Sequence, residues 1–101
     1  MLNFDMLAVG TGWPLSGTTA LVDLAGEVAE SLEIPYRLES SEPGGSDHAS
    51  FIGAGVPAVI FNCFCDPNYH TAADSLDFLE RQRIDEAGAL ALGLIEALLA
   101  A

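Results

Sequence analysis

Leu2, Phe4 and Met6 alternate with Asn3, Asp5 and Leu7 at the start of the chain, the two-residue period of a β-strand. Gly10, Gly12 and Pro14 break that pattern and predict a loop. From Thr18 to Leu32 the apolar positions Ala20, Leu21, Leu24, Ala25, Val28, Ala29 and Leu32 recur at helical spacing, with Glu27, Glu30 and Glu33 on other faces. This predicts an amphipathic helix, capped by a side-chain oxygen of Ser16, Thr18 or Thr19 and stopped by Pro35. Tyr36 to Glu39 reads as a short strand, followed by a turn-rich stretch to Gly45. Ser46 to Phe51 reads as a short helix ended by Gly53 or Gly55, with Ser46 or Asp47 as its cap. The run from Pro57 to Asn62 is apolar on both faces and belongs inside a sheet covered on both sides. From Cys63 to Asp77 there is no periodicity but many Asp, Asn, His, Thr and Pro residues, a loop with polar chemistry. Ile84, Ala87, Leu90, Ala91, Leu94, Ile95, Leu98 and Leu99 make the stripe of a long closing helix.

Strands that alternate with helices in this order predict an α/β layer structure. With 101 residues and 50% apolar content, the chain is sized for one small globular unit. An apolar strand at the first residue, with no lead-in, points to a piece of a larger domain. Three arginines and no lysine against fifteen carboxylates give a formal charge of −12, a poor match to a phosphate backbone, so no nucleic-acid partner is expected. No apolar run reaches the roughly 18 residues that span a bilayer. Cys63 and Cys65 stand one residue apart, where a mutual disulfide would be strained, and read as buried thiols, the alternative being a half-bridge to a segment outside this chain.

Open α/β sheets place their sites at the carboxyl ends of the strands. Asp5 ends the first strand and His70 lies in the loop after the third. Carboxylate oxygen and imidazole nitrogen are both zinc donors, but a catalytic zinc needs three protein ligands and no His-x-x-x-His pair is present. Ser46, Asp47 and His48 are adjacent, and neighbours on one turn point apart, which argues against a catalytic triad. Gly10-Thr11-Gly12 lacks the further glycine and lysine of a phosphate loop.

Three stretches together carry a resemblance: Leu2 to Met6; Gly45 to Phe51 with Gly55 to Ala58; and Tyr69 to Asp74. In order and interval they resemble the final third of the di-zinc aminopeptidase family, which includes secreted bacterial aminopeptidases, glutamate carboxypeptidase II and glutaminyl cyclases. The resemblance implies part of a three-layer α/β/α zinc-exopeptidase fold with a mostly parallel, mixed sheet, residues 1–101 being the carboxyl-terminal part of a catalytic domain. It makes Asp5 a ligand of one zinc ion and His70 a ligand of the other, and it puts Ser46, Asp47, His48 and Tyr69 beside the substrate or behind the ligands. The parent it implies hydrolyses amino-terminal peptide bonds with a zinc-activated water, and its general-base glutamate and remaining ligands lie upstream of Met1. Such a chain is expected to be inactive alone and to self-associate through an open sheet edge. Relatives are often secreted or membrane-anchored, which leaves the location of this chain open. The competing readings are a non-catalytic binding or dimerisation module of the same superfamily and a glutaminyl-cyclase-like acyltransferase. Retention of both Asp5 and His70 counts against the module, and the Asn-x-Asp-Met pattern at Asn3 to Met6 against the acyltransferase.

Overall fold

The structure, a computed structural model, describes residues 1–7, 10, 12–39, 46–62, 71–72 and 75–100. Its elements in chain order are β1 (Leu2–Phe4), β2 (Trp13–Gly17), α1 (Thr19–Ser31), β3 (Tyr36–Leu38), α2 (His48–Gly53), β4 (Val59–Phe61), a 3-10 turn at Leu76–Phe78, and α3 (Arg81–Ala100). The strands form one sheet in the order β1-β4-β2-β3. β1 runs parallel to β4 with Phe4 opposite Phe61, β2 runs parallel to β3, and β2 and β4 are antiparallel with Leu15 opposite Phe61. The sheet is therefore mixed, as expected.

β2 is the element the sequence pattern concealed. Gly12 and Pro14 read as loop residues, yet Trp13 and Leu15 are fully buried and face one side of the sheet together. Pro14 is tolerated because its missing N–H is not needed. Trp13 N–H donates to Pro35 O and Leu15 O accepts from Glu39 N–H, so Pro14 faces away from β3, and pairing with β4 begins only at Leu15.

One core fills the space between the sheet and α1 with α3. Trp13, Leu15, Val59 and Phe61 meet Val22, Ala25, Val28 and Ala29 of α1 and Ala87, Leu90 and Leu94 of α3. The two helices approach closely at Gly93, where an added Cβ would lie 2.7 Å from Val28 Cγ1. Leu2 and Phe4 pack against the same core, and the Phe4 and Phe61 rings stack with centroids 4.7 Å apart. Alternation along the strands turns Asn3 and Ile60 to the opposite face. There α2 lies against β2, which makes three layers.

The burial stripes differ in part from the sequence reading. In α1, Val22 and Gly26 are buried while Ala20 and Leu32 are exposed, a small rotation of the apolar face. In α3 only Arg83, Ala87, Leu90 and Leu94 are buried, whereas Ile84, Ile95 and Leu99 face outward. The expected caps are also used otherwise. Thr18 holds the N-cap position of α1 without a capping bond, because its Oγ1 accepts the Ala58 N–H at 3.0 Å and ties the helix start to β4. Asp47 precedes α2 with no side-chain cap. α1 ends before Pro35: Glu33 turns left-handed (φ 58°) and Ile34 N–H returns to Ala29 O at 2.9 Å. Among the described residues no helix is long and apolar enough to cross a membrane.

Candidate metal centre

Asp5 is the first residue beyond β1 and continues its parallel ladder, its N–H donating to Phe61 O at 3.2 Å. Met6, immediately after it, has φ 57°, a left-handed turn without glycine. Strain of this kind persists only where surrounding contacts enforce it. The turn carries the chain away from the sheet and leaves the Asp5 side chain in solvent at the carboxyl ends of β1 and β4. This is where a parallel pair of strands places a ligand.

Two side chains fix the carboxylate. Asn3, 7% exposed, donates from Nδ2 to Ser46 Oγ at 2.8 Å, and Ser46 Oγ donates in turn to Asp5 Oδ2 at 2.8 Å. Because the hydroxyl oxygen accepts from Asn3, its single proton is directed to Asp5. Among the described residues this is the one hydrogen bond the carboxylate accepts, and none of them engages Oδ1. A carboxylate oriented by a hydrogen bond from behind, with an open front, is how proteins hold a metal-ligating oxygen. The donor chemistry of Asp5 fits zinc, although the described residues contain no group of three or more His, Cys, Asp and Glu side chains able to hold an ion.

Ser46 is thus brought to Asp5, but Asp47 and His48 are not. Asp47 is exposed, and His48 opens α2 with its ring buried and neither nitrogen hydrogen-bonded. Burial pulls the His48 pKa below its ordinary value, with the Asp47 carboxylate pushing weakly the other way, so the imidazole is neutral at neutral pH. His70 and Tyr69 lie outside the described residues, as do Cys63, Cys65 and Asp74.

Sequence reasoning missed two polar residues of this corner. Asn3 lies two positions before Asp5, on the same side of β1, and strand alternation alone could have paired them. Asn62 ends the apolar run of β4, one step beyond the Phe4–Phe61 pair, and is buried with its Nδ2 unpartnered. A lone amide closing an otherwise apolar strand was the available signal.

The family model for Peptidase family M28 matches residues 1–95. The chain belongs to this family. M28 membership agrees with the mixed sheet. The chain is 28% identical over 106 residues to Aminopeptidase YwaD of Bacillus subtilis (strain 168), an alignment that takes in 88% of this chain and 23% of that protein. Its fold is similar to the LapA aminopeptidase of Legionella pneumophila, with a TM-score of 0.78 and 23% identity over 92% of this chain and 29% of that one. It is equally similar to BSAP, a zinc aminopeptidase from Bacillus subtilis, with a TM-score of 0.79 and 22% identity over 96% of this chain and 27% of that one. The M28 chain described here therefore spans about a quarter of the length of these relatives.

Proposed function

We propose that residues 1–101 are the carboxyl-terminal part of the catalytic domain of a zinc-dependent aminopeptidase, in which Asp5 and His70 each ligate one of two zinc ions. The observation that carries this reading is the Asn3–Ser46–Asp5 chain of hydrogen bonds at the ends of β1 and β4, within the span matched by the M28 family. The names of the relatives, aminopeptidase and zinc aminopeptidase, support the activity and the metal. Each residue has a task in this reading. Asn3 orients the Ser46 hydroxyl, Ser46 holds Asp5 Oδ2, and Asp5 presents its other oxygen, Oδ1, to the ion. Asp47, His48 and Tyr69 are assigned to the substrate side of the site by the resemblance alone; among the described residues neither Asp47 nor His48 hydrogen-bonds to Asp5. Zinc, when bound, polarises a peptide carbonyl and activates water. The general-base glutamate and the other ligands belong to the upstream part of the domain, so this chain alone is inactive. The substrate is a peptide with a free amino terminus.

Elemental analysis after dialysis against trace zinc tests this. The 101-residue chain is expected to hold almost no zinc. The full-length protein is expected to hold about two ions, with Asp5→Ala and His70→Ala each losing one or more and Ser46→Ala weakening retention about tenfold, as partners behind metal ligands do. Two ions kept by Asp5→Ala in the full-length protein, or two bound by the short chain, would overturn the assignment.

We also propose that the 101-residue chain self-associates. Among the described residues β1 is an edge strand, and Ile84, Ile95 and Leu99 leave α3 with an outward apolar surface. Open edges and apolar surface both favour pairing with another chain. Sedimentation at moderate salt should give a species heavier than the 10.6 kDa monomer, and a monomer at all concentrations would end this idea.

A further inference from the structure

The turn that follows Asp5 is gripped from the far end of the chain. Arg83, in the first turn of α3, is 2% exposed. Its Nε–H donates to Leu7 O at 3.3 Å, and its Nη1 donates to Gly12 O. The guanidinium carbon lies 3.6 Å from the centroid of the Trp13 ring, and the Trp13 Nε1–H donates to Glu86 Oε1 at 3.2 Å, one turn further along α3. Burial lowers the Arg83 pKa, partly offset by the Glu86 and Glu80 carboxylates, but a guanidinium stays charged under such conditions.

A buried cation is a costly way to gain stability, and an apolar side chain of similar size often does as well. What an apolar side chain cannot do is hold two carbonyls in fixed relation. Leu7 directly follows the left-handed Met6 and Gly12 directly precedes Trp13, and one rigid planar group binds the carbonyls of both. Trp13 beneath it belongs to the central strand β2, so the grip is anchored in the sheet itself.

We propose that Arg83 is a positioning residue for Asp5: by tying the Leu7 and Gly12 carbonyls to α3 and to Trp13, it holds the Asp5–Met6 turn in the conformation at which the carboxylate meets Ser46. The link to metal binding rests on the reading of Asp5 as a zinc ligand, whereas the link to the geometry of the turn does not.

Amide hydrogen exchange on the chain, compared between the native sequence and Arg83→Lys, tests the geometry. Lysine keeps the charge but has no planar fork, so the Asp5 amide is expected to lose protection about tenfold more than those of Val59 and Leu90 in the core. Equal loss at all three sites would make Arg83 a general stabiliser and overturn the proposal. If Arg83→Lys does not fold, Trp13→Phe keeps a ring beneath the guanidinium while freeing Glu86, and the same selective loss at Asp5, smaller in size, is the expected result. No selective loss there would also overturn it. In the full-length protein, Arg83→Lys is expected to weaken zinc retention about tenfold, comparable to loss of a group behind a metal ligand. Selective loss at the Asp5 amide with zinc retained by Asp5→Ala would leave the positioning role standing and refute the metal assignment alone.

Discussion

Gly17→Ala is expected to destabilise the chain by roughly 3 kcal/mol or more, enough to unfold a marginal domain. Gly17 closes β2 opposite Val59, with φ 133°, a backbone conformation open to glycine and strained for any other residue. A Cβ there would lie 2.3 Å from Ala58 O and 2.9 Å from Val59 Cα, and both are backbone atoms that cannot swing aside. Ala58 is held in place from two directions. Thr18 N–H donates to its carbonyl at 2.8 Å, and its own N–H donates to Thr18 Oγ1. Relief would require β2 to separate from β4, and that pairing joins the β1-β4 half of the sheet to the β2-β3 half. Urea unfolding of the variant measures the loss directly, and a change below about 1 kcal/mol would show that the strands can part locally at little cost.

Phe61→Ala is the second large effect, about 3–5 kcal/mol. The ring is fully buried, stacks on Phe4 and lies in the cluster shared by the sheet, α1 and α3. Truncation removes its transfer free energy and leaves a cavity bounded by backbone and by large side chains such as Trp13 and Leu15, which cannot collapse into it. Ile60→Val on the opposite face serves as the comparison, with an expected loss of about 1 kcal/mol. Chemical unfolding again decides, and near-equal losses for the two variants would mean that the core is not centred on Phe61. The substitution also loosens the seat of the Asp5 carboxylate, because Phe61 O receives the Asp5 N–H.

The periodic elements were legible because their signals are local. α1, α3, β3 and β4 lie where apolar spacing put them, and the short helix follows Ser46 as read. β2 was hidden because its glycines and Pro14 are turn formers by local rules, and only the register against β3 and β4 shows that Pro14 needs no donor. The outer side of α3 could not be read from the stripe, since apolar spacing shows that a face is apolar and not that something covers it. In the candidate site, the place of Asp5 at a strand end was legible from the alternation along β1, and its proposed role rests on the resemblance of its surroundings. That Ser46 is its partner, rather than the cap of α2, depends on two segments some forty positions apart meeting at one corner, as the sequence separation of 41 records.

The sequence by itself determined the α/β class, the acidic surface, the ends of most elements and the family kinship, because each rests on composition, on period or on short motifs. Only the tertiary structure decided that β2 is central, that Asn3 and Ser46 orient Asp5, and that Arg83 grips the turn behind it. The physical reason is the same in each case: these are hydrogen bonds and contacts between distant segments, whose partners no local period encodes.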